Sequence, residues 1–119
     1  RMKLSGRKGE DDACVFLRRS GYKVLERNFR CGAGEVDVVA TDGKTTAFVE
    51  VKARRVGAKV GPKEAVTPAK QRRLGAVAAW WAASKSARGP MRFDVLAVTY
   101  DGEKPSFELI KGAFDLSEL

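Results

Sequence analysis

Asp37, Glu50 and Lys52 have the types and spacing to hold a divalent cation beside a phosphodiester. Two carboxylates can share the ion, and an ammonium can stabilise the negative charge that builds as the bond is attacked. Asp37 lies in Glu35-Val36-Asp37-Val38 and the other two in Phe48-Val49-Glu50-Val51-Lys52, so the acids interrupt runs that otherwise resemble core strands. Side chains on a strand alternate faces, which puts Phe48, Glu50, Lys52 and Arg54 on one side and Ala47, Val49, Val51 and Ala53 on the other. Whether Asp37 joins Glu50 depends on the hairpin between them. A two-residue turn at Asp42-Gly43 sets Asp37 opposite Phe48 with Glu50 on the diagonal, roughly 7 to 8 Å away between Cβ atoms. A four-residue turn sets Asp37 opposite Glu50 at roughly 5 Å. A three-residue loop separates them onto opposite faces unless a bulge intervenes. Glu-x-Lys also occurs on exposed strands where charges merely alternate, and acids and lysine can simply form internal ion pairs.

The rest of the composition narrows the chemistry. The chain has 119 residues, no histidine and two cysteines, which excludes Ser-His-Asp triads, Cys-His pairs and zinc fingers. Cys14 falls on a helical apolar stripe and is expected as a buried thiol. A metal here would take oxygen ligands, which suits Mg²⁺, Mn²⁺ or Ca²⁺. The formal charge is +8, and between Lys52 and Arg73 eight basic residues face one acid, Glu64. Arg54, Arg55, Lys59, Lys63, Lys70, Arg72 and Arg73 are therefore candidate contacts to a nucleic-acid backbone, although such a run also serves as a solvated face. With no apolar run of about 18 residues and no apolar leader, a soluble, cytoplasmic protein without membrane contact is expected. The length fits a single domain over residues 1–119.

Elements must place these side chains. Gly6 to Ser20 predicts a helix through Ala13, Cys14, Phe16 and Leu17, closed by Gly21. Glu10 shares that stripe, either as an inward carboxylate or as an acid at the helix's first turn. Tyr22 to Arg30, Glu35 to Thr41 and Thr45 to Arg54 predict three strands, and Gly57 to Pro62 a loop. Thr67-Pro68 starts a second helix, reaching about Ser86 and burying Leu74, Val77, Ala78 and one or both of Trp80 and Trp81. Arg92 to Tyr100 and Ser106 to Lys111 form a last pair around Asp101-Gly102. The predicted order is α-β-β-β-α-β-β, a mixed α/β layer architecture.

Six separated blocks, in order over nearly the whole chain, resemble the YraN family. They are Gly9-Glu10, Gly21-Tyr22, Arg27-Asn28, Gly34-Glu35-Val36-Asp37, Phe48-Val49-Glu50-Val51-Lys52-Ala53-Arg54 and Arg92-Phe93-Asp94-Val95. That family in turn resembles the PD-(D/E)xK nuclease superfamily, near to archaeal Holliday-junction resolvases. The resemblance implies a restriction-endonuclease-like fold with a central mixed five-stranded sheet flanked by helices. It implies Asp37, Glu50 and the carbonyl of Val51 as ligands to Mg²⁺ or Mn²⁺, and Lys52 as the catalytic lysine. Glu10 would be the helix carboxylate that holds a water or a second metal, and Gln71 matches a polar helper. The superfamily's proline is missing, since Glu35-Val36 precedes Asp37. Glu35 itself could reach metal through water, pair with Arg54 or Arg92, or serve only the sheet. Asp94 is expected in a structural ion pair, and Arg27, Asn28 and Arg30 either on phosphate or in surface salt bridges.

These readings converge on a metal-dependent endonuclease hydrolysing DNA, with branched or damaged DNA as the analogous substrate and a homodimer as the analogous assembly. The alternative is a nucleic-acid-binding or adaptor protein that keeps the fold and cuts nothing. Carboxylates that repel phosphate have no use in a module that only binds, which favours the first.

Overall fold

The first helix, α1 (Gly6–Arg19), buries Ala13, Cys14 and Leu17 on one stripe. It ends where Gly21 turns left-handed at φ +94°, so that the Tyr22 amide reaches back to the Leu17 carbonyl at 2.9 Å. The computed structural model describes residues 6–57 and 66–116; Lys59 and Lys63, two of the candidate backbone contacts, lie outside the described residues. Strands β1 (Lys23–Cys31), β2 (Gly34–Asp42) and β3 (Thr45–Arg55) follow as an antiparallel meander. Helix α2 (Pro68–Lys85) then leads to β4 (Met91–Asp101), which runs parallel to β3, and β5 (Lys104–Ile110) returns antiparallel to β4. The sheet order is the chain order, β1-β2-β3-β4-β5. The expected element order and mixed five-stranded sheet are both present.

The β2/β3 turn falls one residue later than Asp42-Gly43, and the β4/β5 turn lies around Asp101-Gly102 as expected. Asp42 pairs with Thr45 and Asp101 with Lys104, leaving Gly43-Lys44 and Gly102-Glu103 as the two-residue loops. The reason is backbone sign. Turns that match the strand twist need positive φ at the first central position, and the glycines supply it at +61° and +62°. The Asp42-Gly43 turn would have placed an aspartate there instead. Relative to the Asp42-Gly43 alternative the β2/β3 register moves by two residues, so Thr41 faces Thr46 rather than Lys44, which is the pairing of the four-residue alternative.

The two helices cover opposite faces. On one, Ala13, Cys14 and Leu17 pack with Val38, Ala40, Val49, Leu96 and Val98. On the other, Leu74, Val77, Ala78 and Trp81 pack with Val36, Val39, Phe48 and Val95. A parallel pair needs a crossover, and α2 is that crossover. Its start is set as the sequence predicts: Thr67 is extended and its hydroxyl accepts from the Lys70 amide at 3.2 Å, with Pro68 at the first position. Trp81 is buried, with its indole N–H donating to Glu26 at 3.1 Å, whereas Trp80 is 57% exposed. Among the described residues, no helix is long and apolar enough to cross a membrane.

Candidate functional site

The corrected register decides the geometry. Continued one pair beyond Val38 and Val49, it sets Asp37 opposite Glu50 on the face covered by α2. The ladder stops at that point, and the Asp37 carboxylate takes the place of a ladder acceptor: its Oδ2 receives the Val51 amide at 2.7 Å. Strand parity then sets Lys52 on the Glu50 side, with its Nζ 3.3 Å from Glu50 Oε2. Glu50 is only 6% exposed along its side chain, deep for a carboxylate.

Two acids so placed cannot both ionise freely. Burial, and then the neighbouring Glu50 charge, push the Asp37 carboxyl up to about 7, against the lowering pull of the Val51 amide. Positive charge comes from the helix. Lys70, in the first turn of α2, sets its Nζ in close contact with Glu50 Oε2, the same oxygen that Lys52 approaches. Burial alone would lower the Lys70 ammonium, but the Glu50 carboxylate more than offsets it and the pKa is raised. A cleft of about 340 Å³ opens beside the pair, walled by Gly34, Glu35, Lys70, Arg73 and Leu74.

Sequence reasoning placed Lys70 only on a backbone-binding basic face, and its position against Glu50 was missed. The signal was present, because Lys70 precedes Leu74, Val77, Ala78 and Trp81 on one helical stripe. A lysine on a core-facing stripe needs an acid within reach.

Glu10 is inward, as its stripe predicts. Its side chain is 13% exposed, and it lies past the first turn of α1, which contains no acid; the dipole explanation therefore does not apply. The structure nevertheless does not gather it with the other two. Its Oε1 accepts from Asn28 Nδ2 at 2.8 Å and lies 3.7 Å from Arg27 Nη2, and its charge reaches Asp37 only through space. Asn28 makes this contact from a left-handed backbone, φ +53°, which asparagine tolerates. No group of three or more acids, cysteines or histidines placed to hold one ion occurs among the described residues. Val51 enters the pair through its amide, on Asp37. The donors that do converge, two carboxylates in a partly buried cleft, fit Mg²⁺ or Mn²⁺, which completes its shell with water and substrate oxygens.

The remaining candidates divide. Glu35 pairs with its cross-strand neighbour Arg30 at 3.1 Å, not with Arg54 or Arg92. Gln71 donates to the Val66 carbonyl at 3.0 Å, which fixes the segment entering α2. Asp94 is fully buried and structural: it accepts from Arg92 Nε and Tyr22 Oη, both at 2.7 Å, and from the Gly112 amide at 3.0 Å. Arg27 pairs with Asp11 at 2.7 Å. Arg54 donates to Thr99 at 3.1 Å, while Arg55, Arg72 and Arg73 are exposed.

The family model described as uncharacterised protein family UPF0102 matches residues 9–98, from Gly9 beside the helix acid to Val98 in β4. The chain belongs to this family. A UPF0102 protein of Geobacter metallireducens is 47% identical over 116 residues, covering 97% of this chain and 95% of the relative. One from Geobacter sulfurreducens is 46% identical over 117 residues, with 97% and 91% covered. One from Caldicellulosiruptor saccharolyticus is 47% identical over 113 residues, with 92% and 95% covered. The YraN-like resemblance is thus matched at the level of the family. In this UPF0102 chain the matched span contains Glu10, Asp37, Glu50, Lys52 and Lys70 together.

Proposed function

We propose that this UPF0102 chain is a Mg²⁺- or Mn²⁺-dependent nuclease that hydrolyses DNA phosphodiester bonds on a restriction-endonuclease-like fold. One observation carries the reading: Asp37 and Glu50 meet across the open end of the β2/β3 ladder with Lys52 beside them, in a cleft walled by basic residues of α2. The raised Asp37 carboxyl supports it, because a site that stacks acids under burial is one that a cation stabilises. When bound, the divalent ion supplies Lewis-acid activation of water and neutralises phosphate charge.

The chain's own residues do the rest. Asp37 and Glu50 hold the ion, and the Val51 amide fixes the Asp37 carboxylate in place. Lys52 presents its ammonium to the phosphate as negative charge accumulates on the oxygens. Arg73, exposed at the cleft rim, meets the backbone of the substrate by charge and confers no sequence preference. Branched or damaged DNA is the substrate class that the resemblance favours.

The test is cleavage of single-stranded, duplex and four-way-junction DNA with Mg²⁺ and Mn²⁺, beside D37A and K52A. Each variant should lose activity by about 100-fold or more, the cost of removing a group that stabilises transition-state charge. Cleavage unchanged in both would locate the activity elsewhere. DNA binding without cleavage on any substrate would favour the adaptor reading, for which the internal pairing of Glu50 with two lysines is the supporting observation.

A further inference from the structure

Both lysines at the site address one atom. Glu50 Oε2 carries Lys52 at 3.3 Å and the closer Lys70, and it belongs to a side chain with almost no access to solvent. A divalent cation that uses Glu50 must either displace an ammonium from that oxygen or bind the other one against the repulsion of two adjacent positive charges. Lys52 reaches Glu50 from two residues along the same strand, at the longer distance. Lys70 is different: it stands at the mouth of the cleft in the first turn of α2, on a stem of four methylenes, beside Arg73. Its ammonium has two available anions, the Glu50 carboxylate and any phosphate entering the cleft.

Resting on the nuclease reading, we infer that Lys70 competes with the divalent cation for Glu50, and that an incoming DNA phosphate, by drawing Lys70 outward, couples cation binding to DNA binding. The coupling is reciprocal by thermodynamic necessity: whatever factor DNA adds to cation affinity, the cation adds to DNA affinity. The site is thereby completed when substrate is present, and a free cation is held weakly otherwise.

The experiment is calorimetric titration of Mn²⁺ into the full chain, alone and with a phosphorothioate oligonucleotide, which keeps backbone charge while resisting cleavage. Wild type is compared with K70M, K70R and R72M. Removing the competitor should tighten Mn²⁺ binding in K70M on the order of tenfold without DNA, and the tightening that DNA produces in wild type should largely vanish, in the usual range of coupling between sites. K70R keeps the charge and should retain the coupling. R72M removes an exposed charge from the same helix and, in the titration without DNA, should change Mn²⁺ affinity by less than about twofold, because solvent and salt screen it. Melting curves of the four proteins establish that each is folded.

Equal Mn²⁺ affinity in wild type and K70M, or DNA enhancement of equal size in both, overturns the role of Lys70 and leaves the metal site standing. The same gain in R72M as in K70M overturns it too, reducing the effect to net charge. If no protein binds Mn²⁺ at millimolar concentration, the metal reading fails and this inference fails with it.

Discussion

Asp37 pays for its position in every state where it is charged, and that cost can be measured. Its carboxyl is raised from 3.8 to about 7 by burial and then by Glu50, so the folded protein binds this proton more tightly than the unfolded chain does. Stability contributed by the proton is complete below the unfolded pKa and is lost as pH rises through the folded one, between about 4 and about 7. D37N removes the charge and keeps an oxygen for the Val51 amide. It should therefore melt higher than wild type at pH 8, with the gain shrinking toward pH 4; in a domain of this size each kcal/mol is worth about 4 °C. A melting difference that is flat from pH 4 to pH 8 would mean that Asp37 is ionised throughout. At the proposed metal site the same titration should make cation affinity fall as pH drops below 7. Asp94 presents the contrasting case of a more deeply buried acid whose oxygens are engaged by Arg92, Tyr22 and Gly112, and thus one that supports the sheet.

At the scale of elements, two glycines test how α1 and α2 are seated. A Cβ on Gly9 would stand 2.9 Å from the Cβ of Ala53, an atom fixed directly to the β3 backbone, so α1 must move. Alanine gains up to about 1 kcal/mol in a helix interior, but overpacking of a tight contact costs about 1 to 3 kcal/mol. G9A should destabilise, and because Glu10 follows, it should also loosen the Asn28 and Arg27 contacts. A Cβ on Gly75 meets only the side-chain end of Leu116, which can turn aside, so G75A should be neutral or slightly stabilising. Thermal melts that give both substitutions the same sign would contradict this packing. The elements themselves were legible from periodicity and caps: Thr67-Pro68, Gly21 and the apolar stripes fall where the sequence places them. What was not legible was register. A single residue in the turn decides whether Asp37 faces Phe48 or Glu50, and that residue is set by which position takes positive φ, which two glycine-containing alternatives leave open. Lys70 escaped for a related reason, since its partner lies on a strand that only the folded crossover brings beneath α2. Glu10 was legible as inward, but its partner Asn28 depends on a left-handed residue within β1 that no local pattern announces.

Over the whole molecule, the charge excess serves the proposed DNA binding only where it is free to meet phosphate. Eight basic residues between Lys52 and Arg73 would, if all contacted duplex DNA, give a slope of log affinity against log salt of about −7. The structure reduces that number. Lys52 and Lys70 are held by Glu50, and Arg54 donates to Thr99. Arg55, Arg72 and Arg73 are exposed; with Lys70 once a phosphate draws it from Glu50, and with Lys59 and Lys63, which lie outside the described residues, at most six contacts come from this segment. Duplex binding measured by fluorescence anisotropy from 50 to 300 mM salt, without divalent cations, should then show a slope of about −5. R72M together with R73M should flatten it by about 2 and weaken different sequences alike, as backbone contacts do. A slope steeper than −7 would bring a second basic face of the molecule into contact, and one near zero would detach the segment from DNA altogether. The value separates two uses of charge in one short stretch of chain, with Lys52 and Lys70 turned inward onto a buried acid and Arg55, Arg72 and Arg73 exposed, where the proposed function has them meet phosphate.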